Sequence, residues 1–545
     1  MSATQSAGCI NQPALSQGAR PRVNQHWAGT DGGGNCGCTT VLQPASERTT
    51  LARMDLPLRL AGAVWGHLVG DAVGVPYEFR PPADIGEVRF GASGTHHQPP
   101  GTWSDDGALT LALLDSLLTA GFDAEDQGRR FLDWLRHGAY TPDADGLFDI
   151  GNTTHDALRR LRGGISAGEA GPAGERDNGN GSLMRILPVA LAGHTLPEAD
   201  LVEQAHRASR VTHGHPIARA TCALYVLLVR ELLLADETGI HPADALDRAH
   251  SALRAVYAGS SAYDAQTSAL AAIDGYARRT GSGYVVDAFW SAWDAFAGSA
   301  SYRETIERAI RYGHDTDTTA AIAGGLAGAW YGLDGIPADW LAGMRGHAIV
   351  DPLVDRLIDA SGWRTSSVHP LYLDWIDPTA VPPGAGWRGR LGMTILPGRR
   401  GPGDALDYWR DLDADAARMR ELGTDALLLL VEDHELRDER VPDLVERMAA
   451  HGIAVLRHPV RDLDVPADPA AYRATLAEVR RRLGVGQTVA VACRGGLGRT
   501  GTAVACLLVD AGLPADEAIT LTRRSRRGAI ERPVQAAFVR SWGTP

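Results

Sequence analysis

Large aliphatic residues recur at helical spacing from Leu56 to Val69, and the pattern predicts an amphipathic helix there. It closes on Gly70-Asp71-Ala72-Val73-Gly74-Val75-Pro76-Tyr77-Glu78. Either Asp71 and Glu78 aim into a cleft, or they are solvated acids on a capped turn. Residues 108–118 are apolar nearly all round, which predicts a buried helix. A third helix is expected over 320–332, where alanine and glycine dominate and neighbouring backbones can approach closely. The longest apolar run, Cys222 to Val229, is far short of a membrane span. From Thr365 to Trp387 the periodicity stops, and Pro370, Pro378, Pro382 and Pro383 gather in what reads as a linker. Beyond it short apolar runs (426–431, 454–459, 488–492) alternate with helical patterns (441–450, 471–483), the pattern of an α/β unit.

A chain of 545 residues is too long for one core. The pattern divides it into a tail (1–53), a helical domain (54–365), a linker (366–386) and an α/β domain (387–545). The tail is rich in Gly, Ser, Gln and Thr without apolar periodicity, so disorder is expected, with Cys36 and Cys38 incidental to it. The net charge of −13 argues against general binding to nucleic-acid phosphates. The six cysteines sit at no framework spacing, and no basic stretch leads into an apolar one at the start, so a reducing cytoplasm is expected.

Two short stretches carry similar chemistry far apart. Ser104-Asp105-Asp106 precedes the 108–118 helix, and Asp315-Thr316-Asp317-Thr318-Thr319 precedes the 320–332 helix, with Thr318 and Thr319 as its expected caps. Each stretch sets two acids and a hydroxyl at the mouth of a buried helix. Taken singly, either acid pair is explained by the helix dipole. Four carboxylates brought together would repel unless cations neutralised them, and a hard oxygen set suits Mg²⁺ or Mn²⁺. Two such ions about 3.5–4 Å apart would be the natural occupant.

Between these stretches, Phe148-Asp149-Ile150-Gly151-Asn152 and Gly179-Asn180-Gly181-Ser182-Leu183-Met184 place glycine and small polar residues before helices. Such loops either offer backbone N–H groups to a phosphate or are ordinary caps. His213 and His215 read better as a cap and a buried hydrogen-bonded residue than as metal ligands.

Taken in order, Gly-Asp-Ala-x-Gly…Glu, Ser-Asp-Asp, Asp-Ile-Gly, Asn-Gly-Ser-x-Met-Arg, Thr-His-x-His and Asp-Thr-Asp-Thr over roughly 55–365 resemble the ADP-ribosylglycohydrolase family. The resemblance implies an all-α fold, a pair of Mg²⁺ or Mn²⁺ ions, and hydrolysis of the bond between ADP-ribose and an acceptor, a protein or a small molecule. It places the metal ligands on Ser104, Asp105, Asp106, Asp315, Asp317 and Thr318. Glu78 matches the glutamate that closes on the substrate ribose, and Asp149 is a candidate for water activation or ribose contact. Asn180, Gly181, Ser182 and Met184 match the loop that receives the diphosphate. Gly107 and His314 depart from the family pattern, where many relatives carry Thr and Gly.

The last apolar run ends in Cys493-Arg494-Gly495-Gly496-Leu497-Gly498-Arg499-Thr500-Gly501 and is followed by an apolar helix over 502–510. A cysteine, five residues and an arginine between strand and helix make a phosphate cradle that favours a thiolate nucleophile, with Arg499 gripping phosphate oxygens. This stretch resembles the Cys-dependent protein phosphatases of the dual-specificity group, and coverage is roughly 387–545. The resemblance gives Asp462 the role of general acid with Asp464 as substitute, has Thr500 assist the leaving thiolate, and sets Gln535 on a water. Ala492 stands where relatives often have His. A metal-free phosphatase acting on a phosphorylated substrate is therefore expected after the metal-dependent helical domain. The alternative is an ADP-ribose-binding module without turnover, fused to a phosphatase or phosphate-binding domain.

Overall fold

The computed structural model describes residues 45–142, 147–235, 241–403 and 405–543. The tail assigned above to 1–53 lies outside the described residues as far as 44, and its last part is helical, because the first helix runs Ala45–Gly74. The region before Trp363 is built of α- and 3₁₀-helices, as expected of an all-α unit. Among the described residues no helix is long and apolar enough to cross a membrane.

Two helices form the axis of this region. Gly62, Gly66 and Gly70 of the Ala45–Gly74 helix recur at four-residue spacing, on one face. They meet Gly328, Gly324 and Ala320 of the Thr316–Tyr331 helix. A Cβ at Gly62 would lie 2.5 Å from the Gly328 carbonyl oxygen, and one at Gly328 would lie 1.9 Å from that of Gly62. The small residues of the 320–332 stretch are thus spent on backbone-to-backbone contact. At the end of the ladder a Cβ on Gly74 would come 2.5 Å from the Asp317 Cα, so the same contact fixes where the acids stand. Alanine at 328 would gain about 1 kcal/mol of helix propensity over glycine. The clash with backbone costs more, so Gly328→Ala should destabilise the chain by a net of about 2 kcal/mol, read as a fall in the denaturant midpoint at unchanged slope.

Past the helices come two sheets. In the smaller, β1 (Trp363–Thr365) runs parallel to β5 (Asp407–Trp409), which pairs antiparallel with β4 (Arg400–Gly401). In the larger the order is β2 (Asp374–Trp375), β3 (Leu391–Thr394), β8 (Val489–Ala492), β6 (Ala426–Leu429), β7 (Ala454–Arg457), parallel except for β2 against β3. Strands β3, β6 and β8 are buried along their whole length, which is why β6 and β8 read as unbroken apolar runs; β3, Leu-Gly-Met-Thr, carries no such run and was not expected. The stretch 366–386 is more than a spacer. Its strand β2 edges the larger sheet, and Leu371, Leu373 and Ile376 are buried in the sheet's core.

Candidate functional site

The acid-bearing stretches meet. Ser104 caps the Asp105–Ala120 helix, its hydroxyl accepting from the Asp106 N–H at 3.2 Å. On the other side the cap is Asp315, not Thr318 or Thr319 as expected, and the helix begins at Thr316. The chain enters it through a left-handed pair, Gly313 and His314, with φ of 73° and 60°. Asp315 therefore stands just outside the helix and Asp317 in its first turn, so two acids two residues apart face one point. The Thr318 hydroxyl donates to Asp106 Oδ2 at 3.2 Å, bridging the two stretches directly.

Asp105, Asp106, Asp315 and Thr318 line a cavity of about 540 Å³ together with Glu78, Asp149, Asn180, Gly181 and Met184. Ser104, Asp317 and Ser182 do not line it. Asp317 is fully buried, with a carboxylate oxygen within 4.8 Å of oxygens of both Glu78 and Asp315. Ser182 lies in a buried polar cluster, accepting from the Ser209 hydroxyl at 2.9 Å and touching Cys222 Sγ at 3.4 Å. Asn180 Nδ2 donates to Asp315 Oδ2 at 2.9 Å. His213 borders the cavity, hydrogen-bonded to Thr212, while His215 caps the Pro216–Leu233 helix, the bland roles weighed for both.

The electrostatics are one-sided. Burial, followed by repulsion among neighbouring acids, pushes Asp105, Asp106 and Asp317 well above the usual carboxylate range. Burial also raises Asp315, and it pushes Glu78 up to about 10 with help from Asp149 and Asp315. Among the described residues none of Asp105, Asp106, Asp315 or Asp317 is ion-paired. Both oxygens of Asp317 and Oδ1 of Asp106 are buried without a hydrogen-bond partner among the described residues. Orphaned anionic oxygens in a dry pocket, flanked by hydroxyls and no thiols, are a donor set that fits hard divalent cations.

Two further residues complete this site: Asp71, one of the two acids noted where the first helix closes, and His96, which the reading of the sequence passed over. Asp71 is buried and accepts from the Ser104 and Gly107 N–H groups at 2.9 and 2.8 Å, holding the start of the Asp105–Ala120 helix. A side chain at Gly107 would strike Trp103 and Leu68, which accounts for the departure noted there. His96 Nε2 contacts Glu78 Oε2, and its ring lies 4.9 Å from that of Phe148.

The second site is at the carboxyl end of the larger sheet, where Cys493 follows β8 and the loop runs into the Gly498–Asp510 helix. Gly496 takes a left-handed φ of 69°, and a Cβ there would lie 2.3 Å from the Thr394 carbonyl oxygen. Arg499 is buried and forks onto Glu435 at 2.6 and 2.8 Å, donates to the Val460 carbonyl at 2.9 Å and pairs with Asp462 at 2.8 Å. Asp462 is half-exposed, while Asp464 accepts from its neighbour Val465 N–H at 2.8 Å. Gln535 Nε2 donates to the Asp464 carbonyl at 3.3 Å. The Thr500 hydroxyl is buried and unpartnered among the described residues.

Glu435 has no counterpart in the reading of the sequence. It holds the guanidinium plane of Arg499, so Glu435→Gln should cut kcat/KM for a phosphate ester by about 10²-fold through misplacement, and Glu435→Asp by less. Steady-state kinetics on both variants checks this, and parent-like kinetics in Glu435→Gln would remove the role.

Comparison with known proteins follows this division. A family model described as ADP-ribosylglycohydrolase matches residues 52–366, and one described as polymorphic toxin system, DSP-PTPase phosphatase, matches 408–513. The ADP-ribosylarginine hydrolase Tri1 of Pseudomonas putida is 32% identical over 307 residues, covering 55% of this chain and 78% of that protein. The ADP-ribosyl-[dinitrogen reductase] glycohydrolase of Rhodospirillum rubrum is 30% identical over 317 residues, covering 56% and 97%. Among solved structures, kinase associated phosphatase aligns with 32% of this chain and 94% of its own, at 25% identity and a TM-score of 0.29.

Proposed function

Because this chain belongs to the ADP-ribosylglycohydrolase family, we propose that it is a bifunctional hydrolase. Its helical region (54–365) removes ADP-ribose from a modified acceptor with a pair of Mg²⁺ or Mn²⁺ ions. Its α/β region (387–545) hydrolyses a phosphate monoester with Cys493. The observation that carries the first half is the Thr318–Asp106 hydrogen bond, which joins two acid pairs some 210 residues apart beside one cavity.

Ser104, Asp105, Asp106, Asp315, Asp317 and Thr318 would hold the cations. When bound, the cations supply Lewis acidity toward sugar hydroxyls and a more acidic water. Asn180, Gly181 and Met184 face the side that receives the diphosphate, with Ser182 fixing the loop from below. Glu78 and Asp149 take a proton from water or give one to the leaving group, and the contact of His96 with the Glu78 carboxylate supports this by fixing that group.

In the second half Cys493 Sγ bonds to phosphorus as the ester P–O bond breaks, and Asp462 hands a proton to the leaving oxygen. Water then cleaves the S–P bond, with Gln535 placing it and Thr500 donating to the departing sulfur. Arg499 binds the phosphate oxygens, and its pairing with Asp462 supports the assignment of that residue as the acid.

Chelation separates the halves. Release of ADP-ribose from a modified protein should fall to background in EDTA and return with Mg²⁺ or Mn²⁺, while phosphate ester hydrolysis is indifferent. Equal release in Mg²⁺, in EDTA and from Asp315→Asn would leave only a binding role for the helical region.

A further inference from the structure

A cavity of about 440 Å³ adjoins the cysteine loop. Thr394 and Ile395 form its inner wall. Thr394 is in register with Ala492, the residue before the cysteine, and the Leu396 N–H donates to the Arg494 carbonyl at 3.2 Å. No residue from 493 to 499 lines the cavity, so its walls are neighbours of the cradle and not the cradle itself.

Its outer wall comes from the strap that joins the two regions of the chain. The strap is held in place: Arg410 Nη1 donates to the His369 carbonyl at 2.9 Å, and the Ser366 hydroxyl donates to Asp415 at 2.8 Å. Three large apolar side chains left exposed, Val368, Tyr372 and Leu406, line this one space. Tyr372 is 61% exposed. Arg526 lies 5.8 Å from its ring centroid and also donates to the Gly495 carbonyl at 3.2 Å, which ties the ring to the cysteine loop. Across the space the Tyr408 ring is backed by Arg399 at 4.7 Å. Arg364, whose guanidinium contacts the His369 ring, adds a polar edge.

Apolar faces, two phenol rings and a few donors at the edge suit a flat heteroaromatic group. Because the cavity is walled by neighbours of the cysteine loop and not by residues 493–499, a ring set off from the phosphate by a sugar suits it better than one bonded directly to the ester oxygen. We propose that this cavity receives the base of a nucleotide whose phosphomonoester sits on the Cys493 loop. The inference rests on the phosphatase reading and names the substrate class of that site.

The test uses the full chain and compares AMP, ribose 5-phosphate and p-nitrophenyl phosphate. AMP should exceed ribose 5-phosphate in kcat/KM by roughly tenfold or more, the worth of one stacked base. Tyr372→Ala should collapse that ratio, and Tyr372→Phe should keep it. Equal rates for AMP and ribose 5-phosphate, or a ratio unmoved in Tyr372→Ala, would overturn the base site. Should the parent hydrolyse none of the three esters, the phosphatase reading fails by itself. Calorimetric binding of AMP against ribose 5-phosphate to Cys493→Ser then decides the cavity: AMP bound tighter, with the difference lost on adding Tyr372→Ala, supports the site, and equal or absent binding sinks it.

Discussion

Asp317→Ala should lower ADP-ribose release by about three orders of magnitude and leave phosphate ester hydrolysis at the parent rate. Both Asp317 oxygens are buried with no partner among the described residues, so nothing in the protein itself needs them. Losing a ligand that positions a divalent cation removes several kcal/mol from the chemical step, and each 1.36 kcal/mol is tenfold in rate. Stability should move the opposite way in chelator. Asp317 is crowded by Glu78, Asp149, Asp106 and Asp315, and trimming one member of a repelling buried set relieves the rest. Thermal unfolding in EDTA should therefore show the variant at least as stable as the parent. A variant that keeps more than half of the release activity would end the assignment of Asp317 to a cation.

The second large effect concerns the other half. Cys493→Ser should reduce phosphate ester hydrolysis by a factor on the order of 10⁵, with ADP-ribose release unchanged. The substitution is nearly isosteric at a position only 3% exposed, so the loop's hydrogen bonds and the Arg499–Glu435 fork survive it. What is lost is the nucleophile, because a serine hydroxyl has no base within the loop to activate it. A phosphate ester assay and an ADP-ribose release assay on one preparation measure both effects. Residual hydrolysis near the parent rate would move the chemistry to another residue.

The chemistry-bearing stretches were legible because each is local. Ser104-Asp105-Asp106, Asp315 to Thr318 and Cys493 to Arg499 each hold their functional atoms within a few residues at a helix start, and a helix start has a readable composition. The long helices and strands β6, β7 and β8 were legible for the same reason, whereas β3, with a glycine and a threonine among its four residues, offered no apolar run. What was missed is non-local. Glu435 reaches Arg499 from 64 positions away, and nothing around it marks it beyond an acid in the first turn of a short helix. His96 lies among glycines and prolines with no period to place it. Thr318 and Thr319 looked like caps by residue type, yet the left-handed turn at Gly313 and His314 starts the helix earlier and hands the cap to Asp315. Strand β2 is two residues long, too short for alternation to register, and prolines around it gave the whole segment the look of a spacer.

The pairing of β1 with β5 bears on anyone who would separate the halves. A cut at 365 leaves β1 on the helical piece with an unsatisfied ladder, and a cut at 387 strips both β1 and β2 from their sheets. Each fragment then presents bare strand edges, which invite self-association. A C-terminal fragment starting ahead of Trp363 keeps its borrowed strand and should stay monomeric, whereas one starting at 387 should aggregate. The join between the helical and α/β regions thus works as a shared seam, and the chain is one folding unit there, not two beads on a string.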